Sequence, residues 1–240
     1  MGGNGLNRNR HRRKKRKVAT REPVENMYYI FCEGEKTEPL YFSEMANVIA
    51  HNAIYKNLVN IVVKGTGLNT TGILEYARDF VRKNKIKQGH IWCVFDKDDF
   101  PDAKFNFAPQ MAEQYTEESP SPVEYHVGWS NQCIEYWFLL HFCYLDANIN
   151  REDYQKQLSS YFQQNNQLSY AKNLDNLFSL LTKYGNPRRA IRWAEKILSQ
   201  YEANTILHHP SEITPGTTVH ILVKELAKYF PDEIKNRYLE

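Results

Sequence analysis

No stretch of this sequence approaches the roughly 18 apolar residues needed to cross a bilayer. The amino terminus has no apolar segment that would read as a secretory signal. A membrane protein is therefore not expected, and a cytoplasmic setting is. Cysteine is scarce: Cys32, Cys93, Cys133 and Cys143 are widely spaced in apolar surroundings. That spacing argues against a disulfide framework or a zinc site and for buried thiols in a reducing compartment. The glycine signatures of phosphate-binding loops are missing too. Gly65-Thr66-Gly67 lacks the P-loop lysine and does not match GxGxxG, so a simple turn is expected there.

One segment combines an absence of acidic residues with a run of basic ones. Residues 1–21 hold nine basic side chains, among them Arg12, Arg13, Lys14, Lys15, Arg16 and Lys17, and no Asp or Glu. With almost no apolar side chains, this segment is expected to be disordered. Its charge suits nucleic-acid phosphates, which it would hold without reading sequence. The overall charge of +3 hides the asymmetry, because the other 22 basic residues face 28 acidic ones, a balance of −6.

What the chain does have is length and apolar content enough for a packed core: 240 residues, 42% hydrophobic. Two apolar runs stand out, Met27–Cys32 and Ile91–Phe95. Each reads as a buried strand and each ends in an acidic cluster, Glu33-Gly34-Glu35 and Asp96-Lys97-Asp98-Asp99. Further strands are expected near Leu58–Val63 and Val123–Val127. Helices are expected over Glu38–Ala50 with Thr37 as its cap, after a candidate cap at Thr71, near Gln110–Glu117, and over the buried run Ile134–Phe142. This βαβ order predicts an α/β fold with a mostly parallel sheet flanked by helices. After about Asp146 the strand signals fade, and helices are expected at Tyr154–Phe162, Leu174–Tyr184, Pro187–Gln200 and Thr218–Tyr229. The expected organisation is a basic tail (1–22), an α/β core (23–145) and a helical C-terminal part packed on it (146–240).

Open parallel sheets bind ligands outside the carboxyl ends of their strands, where both acidic clusters fall. If the extended backbone continues through them, Asp96 and Asp98 point to one side and Lys97 to the other. Glu33 reaches the same pocket if its strand is a neighbour. Carboxylates gathered in this way suit a hard cation, Mg²⁺ or Mn²⁺. With a metal they can position water and phosphate for phosphodiester cleavage, Glu33 serving as general base or acid. Asp-x-Asp alone is weak evidence. A phosphohydrolase of the haloacid-dehalogenase type would also carry it, but Phe100 stands where that pattern has threonine or valine, and Glu33 would go unexplained.

Phe31-Cys32-Glu33-Gly34-Glu35-Lys36-Thr37-Glu38-Pro39 with Tyr41-Phe42, the long motif from Ser130 to Phe142, and Pro215-Gly216-Thr217-Thr218-Val219-His220 together resemble the signatures of the RloB-like family. The resemblance runs from Met27 to about Tyr229 and implies a relation to Toprim domains, the metal-dependent module of topoisomerases, primases and defence nucleases. It implies a Mg²⁺-dependent nuclease of antiphage, abortive-infection defence, with nucleic acid as substrate and an ATPase as a possible partner protein. The alternative is a non-catalytic nucleic-acid-binding or regulatory subunit of a defence complex. Residue by residue, Glu33 matches the Toprim glutamate and Asp96 and Asp98 the Asp-x-Asp. Glu38 matches a further acidic ligand with a one-residue offset, Glu35 is the substitute for it, and Asp99 has no counterpart.

Other positions have two readings. Glu135, in an apolar run, either lines the metal pocket or pairs with an arginine. Ser130 and Asn131 either contact phosphate or ribose or cap a helix. His141 reads as a core histidine and His208-His209 as a loop feature, while Lys172, Arg188 and Arg189 are either phosphate contacts or exposed helix charges.

Overall fold

In a computed structural model, residues 26–166, 169–202 and 208–239 are described. The basic tail and its candidate contacts Arg12–Lys17 lie outside them. The aromatic and β-branched runs form strands β1 (Asn26–Cys32) and β3 (Gly89–Asp96), with β2 (Val59–Gly65) and β4 (Val123–Asn131). Helices α1 (Thr37–His51), α2 (Thr70–Lys83) and α3 (Asp102–Glu117) connect them. The strand order is β2-β1-β3-β4-β5; the first four are parallel, and the two-residue β5 (Gly216–Thr217) runs antiparallel to β4.

Alternate residues of the central strands bury on opposite faces, as the pleat requires. Tyr28, Ile30, Cys32, Trp92 and Val94 pack with Tyr41, Phe42, Met45 and Ile49 of α1. Tyr29, Phe31, Ile91, Cys93 and Phe95 pack with α2 and α3 through Ile73, Leu74, Ala77, Phe105 and Ala108. The chain thus moves outward from β1 to β2 over one face and returns across β1 to β3 over the other. The winding direction reverses between β1 and β3, and such a reversal opens a crevice at the carboxyl ends of the two strands.

The first face is covered by the C-terminal helices: α5 (Arg151–Asn166), α6 (Leu177–Tyr184), α7 (Pro187–Glu202), α8 (Val219–Ala227) and α9 (Asp232–Leu239). Their buried residues, including Tyr154, Phe178, Ile191, Leu222 and Tyr238, join the α1 cluster without a break. Between sheet and helices runs α4 (Glu135–Leu139), whose side chains are buried all round, as in a helix enclosed by a core. It is shorter than the expected Ile134–Phe142 helix, because His141 and Phe142 bond back three residues, to Phe138 and Leu139, and leave the α-helical ladder. Among the described residues no helix is long and apolar enough to cross a membrane.

Local caps differ from the expected ones. Asn69, not Thr71, caps α2, its side chain accepting from the Gly72 N–H at 3.0 Å. Thr37 lies inside α1, and its hydroxyl donates to the Lys172 carbonyl at 3.0 Å, tying the first turn to the C-terminal part.

Candidate metal centre

Glu33 follows β1 without a change of course. Its N–H donates to the Val94 carbonyl at 2.9 Å, so pairing with β3 extends through it. Its Oε2 accepts from the Asp96 N–H at 3.0 Å, which brings the first acidic cluster onto the last residue of β3. The next residue is Gly34, where a Cβ would lie 2.3 Å from Oε2 of Glu38 and would displace that carboxylate. That opening lets the buried Glu38 turn back from the first turn of α1 toward Glu33. Glu135, at the start of α4, lies against the same site.

These residues line an open cleft of about 400 Å³ at the crevice between β1 and β3. Six carboxylates border it, those of Glu33, Glu35, Glu38, Asp96, Asp98 and Glu135, against three cations, Lys36, Lys172 and Arg151. The imbalance shows in the protonation behaviour. Burial pushes the Glu33 carboxyl up to about 7, and nearby Glu38 adds to the rise while the Asp96 N–H and Arg151 oppose it. Burial, then Glu38, Glu135 and Glu33, hold Asp96 well above the usual carboxylate range. Glu38 is raised by burial and by Glu135, with the amides of Gly34 and Glu38 and the charge of Lys172 working against the rise. Carboxylates in this state are short of positive charge.

The site fits a hard cation on its donor chemistry, which is all oxygen. It also fits on a specific vacancy in bonding: Oδ1 of Asp96 is buried and finds no hydrogen-bond partner among the described residues. The carboxylates are nonetheless spread. Among the described residues no three of them place oxygens all within 4.8 Å of one another.

Asp98 sits differently from the expected geometry. The strand ends at Asp96; the Lys97 and Asp98 amides bond to the Ser130 and Gln132 carbonyls, and Asp98 then adopts a positive φ of 41°. The extended backbone that would have aimed both carboxylates one way does not continue. Asp98 is at the rim, paired with Arg151 at the start of α5. Lys97 does point elsewhere, to the Phe100 carbonyl at 2.6 Å and Asp102 at 3.0 Å. Asp99 is exposed, and so is Glu35, which lies beside Gly67 in the loop after β2.

Glu135 lines the cleft, and its partner is a lysine rather than an arginine. Oε1 accepts from the Tyr170 hydroxyl and Gln155 Nε2, each at 3.1 Å, with Lys172 Nζ at 3.9 Å. Ser130 and Asn131 belong neither to the cleft nor to a helix cap. The expected end of the fourth strand, Val127, falls short: β4 runs on through Asn131 to pair with β5. Ser130 Oγ lies 3.0 Å from Thr217 Oγ1, and Asn131 Nδ2 donates to the Ser211 and Ile213 carbonyls at 3.1 Å. His141 is buried at the Trp137 carbonyl, and burial lowers its pKa to about 4, so it is a neutral core side chain. Arg188 and Arg189 lie apart from the cleft, on α7. Arg151, Gln155 and Tyr170 are the site residues that sequence reasoning missed. They come from the C-terminal part, and no local pattern marks them.

A family model described as RloB-like protein matches residues 28–226. No curated protein and no solved structure matches the chain.

Proposed function

The chain belongs to the RloB-like family, and from that premise we propose that its acidic cleft is the active site of a nuclease of the Toprim type, dependent on Mg²⁺ or Mn²⁺ and acting in antiphage defence. The observation that carries this reading is the buried, unpartnered Oδ1 of Asp96 in a crevice where carboxylates outnumber cations. Asp96, Glu33, Glu38 and Glu135 would hold the ion, and Asp98 would join them on release from Arg151. When bound, the ion supplies positive charge to the phosphoryl oxygens and the leaving group.

The chain's own residues do the rest. Glu33 would be the group that takes and returns a proton during hydrolysis. The Asp96 N–H fixes one of its oxygens and thereby orients the carboxyl. Lys172, half-exposed at the mouth, and Arg151 draw the phosphate backbone toward an otherwise negative opening. A nucleic-acid substrate and an ATPase partner belong to the same reading.

The test is incubation of the full chain with labelled DNA and with total RNA, in EDTA, Mg²⁺ or Mn²⁺. Cleavage that needs the metal and disappears in Asp96→Asn supports the proposal. Binding without cleavage under every condition overturns it in favour of a non-catalytic subunit.

A further inference from the structure

At the opposite end of β3 lies a second cluster of ligating side chains. His90 is the second residue of the strand, and the register sets it directly across from Glu124 of β4, with His126 two residues further on the same face. Glu124 Oε2 lies 3.0 Å from His90 Nδ1 and 3.6 Å from His126 Nε2. Ligand atoms of all three residues fall within 4.8 Å of one another, which no other trio among the described residues achieves.

Both contacts fall on one carboxylate oxygen. His90 Nδ1 and His126 Nε2 are buried atoms, and Glu124 Oε2 is the polar group that each of them faces. Two ring nitrogens therefore converge on one carboxylate oxygen. Glu225 of α8 stands nearby: its charge acts on His126, and its Oε2 is buried and unpartnered among the described residues. The rings themselves are held in place. His90 stacks on Tyr28 at 5.0 Å and His126 on Trp92 at 4.8 Å, between ring centres. Fixed imidazoles with a carboxylate and one further position are a donor set for a borderline transition-metal ion.

We propose that His90, Glu124 and His126 form a binding site for a divalent transition-metal ion, Zn²⁺ in the first instance, with Glu225 or water in the fourth position. The ion would pin the starts of β3 and β4 together, and with Glu225 would tie them to α8. This site is separate from the acidic cleft. His90 and Asp96 are six residues apart on one strand, about 20 Å at the usual rise. Its donors are nitrogen-rich, whereas the cleft offers only oxygens. The inference does not depend on nuclease activity.

The experiment is calorimetric titration of the full chain with Zn²⁺, together with Co²⁺ loading read by visible absorption. The variants are Glu124→Gln, His126→Gln and Asp96→Asn, with circular dichroism to establish that each is folded. Glu124 is half-exposed, so its variant puts little of the fold at risk. Losing a hydrogen-bonding partner of a ligand already costs roughly 10- to 100-fold in metal affinity, so losing a ligand should cost about 100-fold or more. The wild type and Asp96→Asn should each bind one Zn²⁺ at this site and show the Co²⁺ band. Glu124→Gln and His126→Gln should weaken the binding by that factor and lose the band. Zn²⁺ affinity unchanged in folded Glu124→Gln and His126→Gln, no Zn²⁺ binding by the wild type, or binding lost only in Asp96→Asn would overturn the proposal.

Discussion

Glu33→Gln should make the metal-free protein more stable at pH 8 and leave it unchanged at pH 4. In the fold, burial pushes the Glu33 carboxyl from its ordinary 4.5 up to about 7. The folded state therefore keeps a proton that the unfolded state gives up. Below about pH 4.5 both states are protonated and the group costs nothing. Between there and about 7 the cost grows, and above 7 it is complete. A gap of that size corresponds to about 3 kcal/mol, an order-of-magnitude figure. For a chain of this length it is a shift of roughly 6–12 °C in Tm. Glutamine removes the charge and retains an oxygen for the Asp96 N–H. It also relieves Asp96, on which Glu33 acts, so both effects have the same sign. The assay is thermal melting of both proteins in EDTA across pH 4 to 8. The curves should coincide at the acid end and diverge through pH 4.5–7 with the variant on top. Mg²⁺ should then raise the wild type more than the variant. A variant no more stable than wild type at pH 8 in EDTA would show that Glu33 carries no such cost, and the argument for a cation-starved cleft would lose its main support.

Asp96→Asn should abolish metal-dependent cleavage of labelled nucleic acid with folding intact by circular dichroism, whereas exposed Asp99→Asn should leave it within a few-fold of wild type; equal activity in the two variants would exclude Asp96 from the chemistry. Gly34→Ala puts a Cβ against Glu38 Oε2 and should weaken Mn²⁺ binding, measured by electron paramagnetic resonance, by about 10-fold; an unchanged affinity would remove Glu38 from the ligand set. Deleting residues 1–21 takes away nine positive charges ahead of an acidic remainder and should lower oligonucleotide affinity at low salt. Each lost phosphate contact should flatten the slope of log affinity against log salt by about 0.7 to 0.9. Equal slopes for the full and shortened chains would mean that the tail serves some other partner.

The strands that position the cleft were legible because their residues leave little choice. Met27–Cys32 and Ile91–Phe95 are too apolar and too β-branched or aromatic to be anything but buried, and they form β1 and β3 almost to the residue. Their acidic endings were legible as well, and β1 and β3 bring Glu33 and Asp96 together at one crevice. What failed was the backbone beyond the last paired residue. Asp98 turns at a positive φ, which side-chain alternation cannot anticipate. β4 outruns its apolar stretch because its partner, β5, is two residues that no periodicity can reveal, and Ser130 and Asn131 looked like a cap only while that partner was unseen. Helix α9 went unread because its sequence is mostly polar and one residue, Tyr238, anchors it.

The same distinction separates the two ligand clusters. Glu33 directly follows its strand and Asp96 ends its own, so each was suspect before the strands were paired. Their meeting then follows from a neighbour relation that the reversal of winding between β1 and β3 produces. His90, Glu124 and His126 carry no such mark. Glu124 and His126 are two apart on an edge of mixed polarity, and His90 lies 34 positions earlier beside Gly89. Only the register of β3 on β4, which sets His90 opposite Glu124, turns three ordinary polar residues into a ligand set. A site made by strand ends can be suspected from one sequence; a site made by register needs the paired sheet.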